Sequence, residues 1–154
     1  MNTMTTILDF NNIVLSLIEL LRTLISTEQD KLKAVTSNDL DALNACIKNE
    51  QVQVLKLKGL DKKREQIQVD LGYENLTFKE IIALLPAEQK NESLQLFTTL
   101  QQTTDEFNEI NNSVKTAIDV NLHSINTTLS KLNITPDNEQ SQMPSGNNLR
   151  NKFD

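Results

Sequence analysis

Glycine and proline are scarce in this chain, which has three of each; none lies between Met1 and Lys58 or between Pro86 and Pro136. Because both residues interrupt helices, long stretches without them favour long helices. Apolar residues in both stretches recur three and four positions apart, which is the spacing of an amphipathic helix. The sequence therefore predicts an all-α protein, an antiparallel helical bundle with long amphipathic helices.

Residues that bind metals or act as nucleophiles are also scarce. The single cysteine, Cys46, has no second thiol for an internal disulfide, and with the single histidine, His123, it cannot supply three or four metal ligands. Cys46 lies in a helical pattern and is predicted to be a small, partly buried side chain. We expect no enzyme activity, no cofactor and no metal.

Long apolar runs and an excess of positive charge are missing too. The chain has 15 basic and 21 acidic residues and a net charge of -6, which opposes binding to phosphate backbones and anionic lipids. Polar residues break the apolar cluster from Ile13 to Ile25, and no basic region precedes it. Neither a signal peptide nor a membrane span is predicted. We expect a cytoplasmic protein with no nucleic-acid partner and no membrane insertion.

Two long helices are predicted in the first half of the chain. The first covers about Phe10 to Val35, and the second begins after Asn38, which has with Asp41 the spacing of a capping pair. Leu71-Gly72 is a stop signal for the second helix, because glycine tolerates the left-handed conformation. The short junction between the two helices predicts an antiparallel hairpin.

Two further helices are predicted in the second half. A capping box from Thr77 to Glu80 predicts a short helix that ends near Leu85. The last helix is predicted to start at Pro86 or Ala87 and to reach about Leu132. These helices form a predicted bundle domain over residues 1–133. Residues 134–154 are rich in Asn, Gln, Ser, Pro and Gly and are predicted to be a flexible, disordered tail.

The last helix is longer than a compact bundle of this size needs, since it would approach roughly 70 Å at about 1.5 Å per residue. Polar residues also interrupt its apolar seam and would be costly to bury in a dry core. These residues are Thr104, Asn111, Asn121 and Thr128. The pattern indicates a surface that is covered only part of the time and could accept a partner helix.

Two single residues carry more specific hypotheses. Glu28 falls in the apolar stripe of the first helix and needs a partner if it is buried; Lys48 on the second helix is a candidate, and the alternative is a Glu28 in water at the edge of the stripe. His123 invites comparison with the histidine of helical phosphotransfer domains. Those domains place a lysine and a small residue after the histidine, whereas Asn126 and Thr127 stand here, so an exposed polar histidine is favoured.

The first hairpin carries a family pattern. The pattern begins with the run Leu17-x-x-x-Leu21-x-x-Leu24-x-x-x-Glu28-x-x-x-Leu32. It continues with Asn38-Asp39-Leu40-Asp41-Ala42-Leu43, with Lys48 and with the stretch from Leu55 to Arg64. Together these residues resemble the FlgN family of flagellar export chaperones. The resemblance covers about Leu17 to Leu85 and extends more loosely into the last helix. It implies an all-α bundle that binds hook-filament junction proteins in the cytoplasm, covers their helical terminal segments against premature assembly and escorts them to the flagellar export apparatus.

The leading hypothesis is therefore a chaperone that binds client helices through its last helix. We predict that six apolar residues of that helix form the client-binding face: Leu100, Phe107, Val114, Ile118, Ile125 and Leu129. The alternative is a self-associating coiled-coil scaffold or adaptor without an export client. A scaffold should form a stable oligomer, whereas a chaperone is expected to be a monomer or a weak homo-oligomer.

Overall fold

The computed structural model describes residues 4–132 of the chain. It contains four helices and no strand: α1 (Ile7–Thr36), α2 (Leu40–Asp70), α3 (Phe78–Leu84) and α4 (Ala87–Lys131). The predicted all-α bundle is confirmed. The predicted tail at 134–154 lies outside the described residues.

Helix α1 begins earlier than its apolar pattern predicts. The backbone N–H of Thr6 donates to the Asp9 carboxylate over 2.8 Å, which is one half of a capping box. The Asp9 charge also lies in the first turn, where the helix dipole stabilises it. This capping pair starts the helix at Ile7, three residues ahead of Phe10, and accounts for the extra turn.

The connection between α1 and α2 corrects the predicted cap. Asn38 adopts a left-handed conformation (φ 57°), and its N–H and that of Asp39 bond back to the carbonyls of Val35 and Ala34. This arrangement ends α1 as a Schellman motif, a role in which asparagine can replace glycine. The N-cap of α2 is Asp39, whose carboxylate accepts from the Ala42 N–H over 3.0 Å.

The predicted stop of α2 and start of α3 are confirmed. Gly72 has a φ of 81°, and the N–H of Tyr73 donates to the Gln68 carbonyl over 2.7 Å, again as in a Schellman motif. The Thr77 hydroxyl accepts from the Glu80 N–H at the start of α3. Helix α4 follows directly after Pro86, as predicted.

Helix α1 is the central element of the bundle, because α2 and α4 both pack mainly on it. Helix α2 runs antiparallel to α1: Thr5, before α1, bonds to Asp70 at the end of α2, and Lys31 near the end of α1 bonds to Glu50. Helix α4 runs parallel to α1, since Asn11 pairs with Ser93 and the Val35 carbonyl with Asn121. The three long helices therefore alternate up, down and up.

The apolar core lies toward the start of α1. The ring of Phe78 in α3 packs at a tilt against Phe10 of α1 and Phe97 of α4, with ring centroids 5.6 and 5.3 Å apart, and Arg64 of α2 lies over the same ring. Ile81 of α3 is fully buried in this cluster. Helix α3 thus closes one end of the bundle, where it bridges all three long helices.

We expect the replacement of Leu17 by alanine to lower the free energy of unfolding by about 2–5 kcal/mol, the usual cost of a cavity in a packed core. Leu17 is 0% exposed at the centre of the α1 stripe. Urea denaturation followed by circular dichroism measures the change.

The matched control is Leu15→Ala, on the solvent side of the same helix, where the leucine is 42% exposed. It should cost less than about 1 kcal/mol. Equal costs for the two variants would contradict the central position of α1.

Candidate functional site

The end of the bundle opposite α3 is incompletely packed. Helix α1 ends at Thr36, and the side-chain amide of Asn121 donates to the Val35 carbonyl over 2.9 Å. Helix α4 continues for ten residues beyond Asn121, to Lys131, or about 15 Å. This last part of α4 extends past the helix on which the rest of α4 packs.

The apolar seam of α4 continues into this unpacked part. Val114 is the last buried residue of α4, at 1% exposed. The seam then passes through the half-buried Ile118 to Leu122 and Ile125, which are 52% and 56% exposed. The same stripe is therefore core in its first half and solvent-accessible surface in its second half.

Helix α2 is loosely packed at the same end. None of its residues before Leu57 is buried, and Leu40 in its first turn is 71% exposed. Only three residues separate α1 from α2, so Leu40 lies close to the same end of α1 as Asn121. We call the open end residues 40–53 of α2 together with residues 118–132, which comprise the last part of α4 and the residue that follows it.

The six predicted client-binding residues do not form one exposed face. Leu100, Phe107 and Val114 are buried in the protein's own core, so another helix could reach them only if α4 left α1. Ile118 and Leu129 are half-buried and Ile125 is exposed at the open end. A role in client binding stays a prediction for all six residues, and the predicted face left out the neighbouring exposed Leu122 and Leu132.

The polar residues in the seam of α4 have partners, which revises the interpretation that they mark a surface covered part of the time. Asn111 donates to the Glu28 carboxylate over 3.3 Å, and Asn121 caps a carbonyl of α1. The hydroxyls of Thr104 and Thr128 bond to carbonyls one turn earlier in α4 itself. Exposure of the seam follows from the length of α4 and not from its polar residues.

A polar cluster separates the apolar core from the open end. Glu28 of α1 is fully buried; one carboxylate oxygen lies 3.5 Å from the Lys31 ammonium, and the other accepts from Asn111 of α4. Lys31 in turn bonds to Glu50 of α2 over 2.8 Å. The cluster therefore joins all three long helices through two carboxyl groups, one ammonium and the side-chain amide of Asn111.

Two carboxyl groups with one cation cannot both be ionised without cost. Burial and a hydrogen bond to Glu50 raise the pKa of Glu28 to about 7. Burial opposes ionisation of Glu50 as well, but its hydrogen bonds to Glu28 and Lys31 lower its pKa. The pKa of Lys31 is raised because its hydrogen bonds and charge interactions with both carboxylates outweigh its burial. Glu28 is thus the carboxyl group that holds a proton near neutral pH.

The predicted pair of Glu28 and Lys48 is corrected by these contacts. The cation beside Glu28 is Lys31, three residues later on the same helix, while Lys48 is exposed on α2. The residue of α2 that meets α1 here is Glu50, two positions after Lys48. A step of two residues on a helix turns a side chain by about 200°, which places Lys48 on the solvent side.

The described residues include the single histidine and the single cysteine of the chain. No group of three or more His, Cys, Asp and Glu side chains within 4–132 is arranged to hold a metal ion, and no helix in that range is long and apolar enough to cross a membrane. His123 is exposed on α4, and Cys46 is half-buried on α2, near the polar cluster. What this end of the bundle offers is apolar helix surface.

We expect the double variant Leu122→Asp and Ile125→Asp to fold with a free energy of unfolding within about 1 kcal/mol of the wild type, because both side chains already lie in water. Val114→Asp, in the buried part of the same seam, should destabilise the bundle by several kcal/mol, since it buries an unpaired carboxylate. Urea denaturation of both variants measures the difference. A double variant as unstable as Val114→Asp would show that the open end is packed.

Comparison with known families agrees with this architecture. The family model described as FlgN protein matches residues 4–148, nearly the whole chain. No curated protein and no solved structure gave a match in the corresponding comparisons. The chain therefore belongs to the FlgN family, a family of flagellar export chaperones.

Proposed function

We propose that the protein is a non-enzymatic export chaperone that binds the amphipathic terminal helices of hook-filament junction proteins at its open end. Family membership supports a role with flagellar proteins in general. The observation that carries the specific proposal is the seam of α4, which is buried up to Val114 and exposed at Leu122 and Ile125. A partner helix that packs there would extend the contact that α1 makes with the earlier part of α4.

The surface chemistry of this segment favours an apolar helix face over a charged ligand. Between Val120 and Ser130, α4 carries no Asp, Glu, Lys or Arg. The hydroxyls of Thr127 and Thr128 bond to the helix's own carbonyls, so their hydrogen-bonding demand is largely met. An amphipathic helix can cover such a surface without stripping water from charges.

In this proposal, the bound client helix cannot assemble prematurely, and the complex delivers it to the flagellar export apparatus in the cytoplasm. Two of the exposed apolar residues of α2, Leu40 and Ile47, lie at the same end and would enlarge the surface available to the client. The competing candidate is a coiled-coil scaffold that uses the exposed seam to pair with itself. The short length of the exposed seam favours a monomer or a weak dimer over a stable oligomer.

The test is binding of a peptide from the C-terminal helix of a junction protein, measured by fluorescence anisotropy. The double variant Leu122→Asp and Ile125→Asp should weaken binding at least about tenfold, because two apolar contacts become buried carboxylates. Light scattering of the wild type alone should give a monomer or a concentration-dependent dimer.

The matched control is Val120→Asp, which lies in the same segment, is 58% exposed and points to another side of the helix. It should bind the peptide as the wild type does. Equal losses in the control and the double variant would contradict a seam-directed site, and a stable oligomer without peptide would favour the scaffold.

A further inference from the structure

The first half of α2 is held to the bundle differently from its second half. Its buried residues, Leu57, Asp61 and Gln68, all lie in the second half. Residues 40–53 contribute half-buried side chains at best, and the side-chain amide oxygen of Gln53 is buried without a hydrogen-bond partner. A helix segment with few buried apolar contacts is the part of a fold that opens most readily.

The fixed polar contact of this segment with α1 is the bond between Glu50 and Lys31. That contact belongs to the polar cluster around the buried Glu28, so the charge on Glu28 acts directly on it. When Glu28 is neutral, the negative charge of the Glu50 carboxylate balances the positive charge of the Lys31 ammonium. With Glu28 ionised, two carboxylates share a single ammonium in a site from which water is largely excluded, and their repulsion opposes docking of α2.

We propose that Glu28 and Glu50 together hold one proton, and that loss of this proton releases residues 40–53 of α2 from α1. The polar cluster thereby acts as a pH-sensitive switch that opens one end of the bundle. The switch does not depend on which partner the protein binds. Its driving force is the charge balance of the cluster, and its hinge lies between the loosely held first half of α2 and the anchored second half from Leu57 onward.

Among the titratable groups of the polar cluster, Glu28 is the one that titrates near neutral pH. From α1 come Glu28 and Lys31, and from α2 come Glu50 and the thiol of Cys46. Burial and the nearby charge of Asp30 raise the pKa of the Cys46 thiol, which disfavours its ionised form. Helix α4 contributes the uncharged Asn111, and no ion pair within 4–132 joins α4 to the cluster.

The sign of the pH dependence follows from the raised pKa of Glu28. Its ordinary value is 4.5 and its value in the closed bundle is about 7. The closed state, with residues 40–53 docked on α1, therefore binds the proton more tightly than the open state, in which these residues are released. The resulting stabilisation of the closed state is fully present below pH 4.5 and is lost as the pH rises to about 7. Between pH 6 and pH 8, these two pKa values give an increase of about tenfold in the equilibrium constant for opening.

Hydrogen-exchange mass spectrometry of the full chain tests the switch. After correction for the pH dependence of intrinsic exchange, the protection factors of peptides within 40–53 should fall about tenfold between pH 6 and pH 8. This is the same factor as the expected increase in the equilibrium constant for opening. Peptides within 57–70 of the same helix should keep their protection. Glu28→Gln, which mimics the neutral acid, should keep residues 40–53 protected at both pH values.

The control variant is Glu109→Gln, an exposed carboxylate on α4 that should leave the wild-type pH dependence unchanged. Circular dichroism checks that Glu28→Gln folds; if it does not, Glu50→Gln serves instead, because it removes the hydrogen bond and the charge of Glu50 that raise the pKa of Glu28, and it should therefore weaken the pH dependence. Equal protection of 40–53 at pH 6 and pH 8 in the wild type would overturn the proposal. An equal loss of protection in residues 57–70 would also overturn the proposal, as would a pH dependence that persists undiminished in the glutamine variant.

Discussion

The architecture depends on one constraint: α2 and α4 both pack on α1, and α1 is shorter than α4. Helix α1 has 30 residues and α4 has 45. Alongside α1, the seam of α4 is buried at Leu100, Phe107 and Val114. Beyond Thr36 there is no α1 to cover it, so the same apolar spacing that builds the core becomes an exposed surface. The candidate binding site is thus a continuation of the core and needs no separate motif.

The two ends of the bundle are stabilised by different interactions. At one end, the rings of Phe10, Phe78 and Phe97 pack together, and α3 bridges the three long helices. Toward the other end, the cluster of Glu28, Lys31, Glu50 and Asn111 replaces apolar contacts. Buried ionic groups add little net stability, because desolvation offsets their attraction. This difference supports both proposals for the second end, that it accepts a partner helix and that its part of α2 opens.

Sequence reasoning predicted the helices well because their signals are local. The Thr77 cap, the Leu71-Gly72 stop and the start of α4 after Pro86 each depend on a few adjacent residues. The family pattern was also local, confined mostly to the first hairpin. The cap of α2 was assigned to Asn38 instead of Asp39, since both residues suit the position and only the backbone geometry separates them.

The candidate site was harder to predict because burial depends on which helix lies opposite. A stripe of apolar residues shows that α4 has one apolar face, but not that α1 covers it only to Val114. Asn111 was noticed as a polar residue in that stripe, yet its partner Glu28 lies 83 residues away, and nothing in the spacing connects them. Lys31 lies one turn from Glu28 and could have been found from the helix period alone.

The most direct test of the central claim is a hydrogen-exchange footprint of the protein with and without a junction-protein helix bound. A site formed by the uncovered seam predicts that the peptide increases protection in residues 118–132, where α4 has lost its partner helix. Protection gained instead around residues 87–100, with 118–132 unchanged, would contradict the claim that the uncovered end of the seam binds the client.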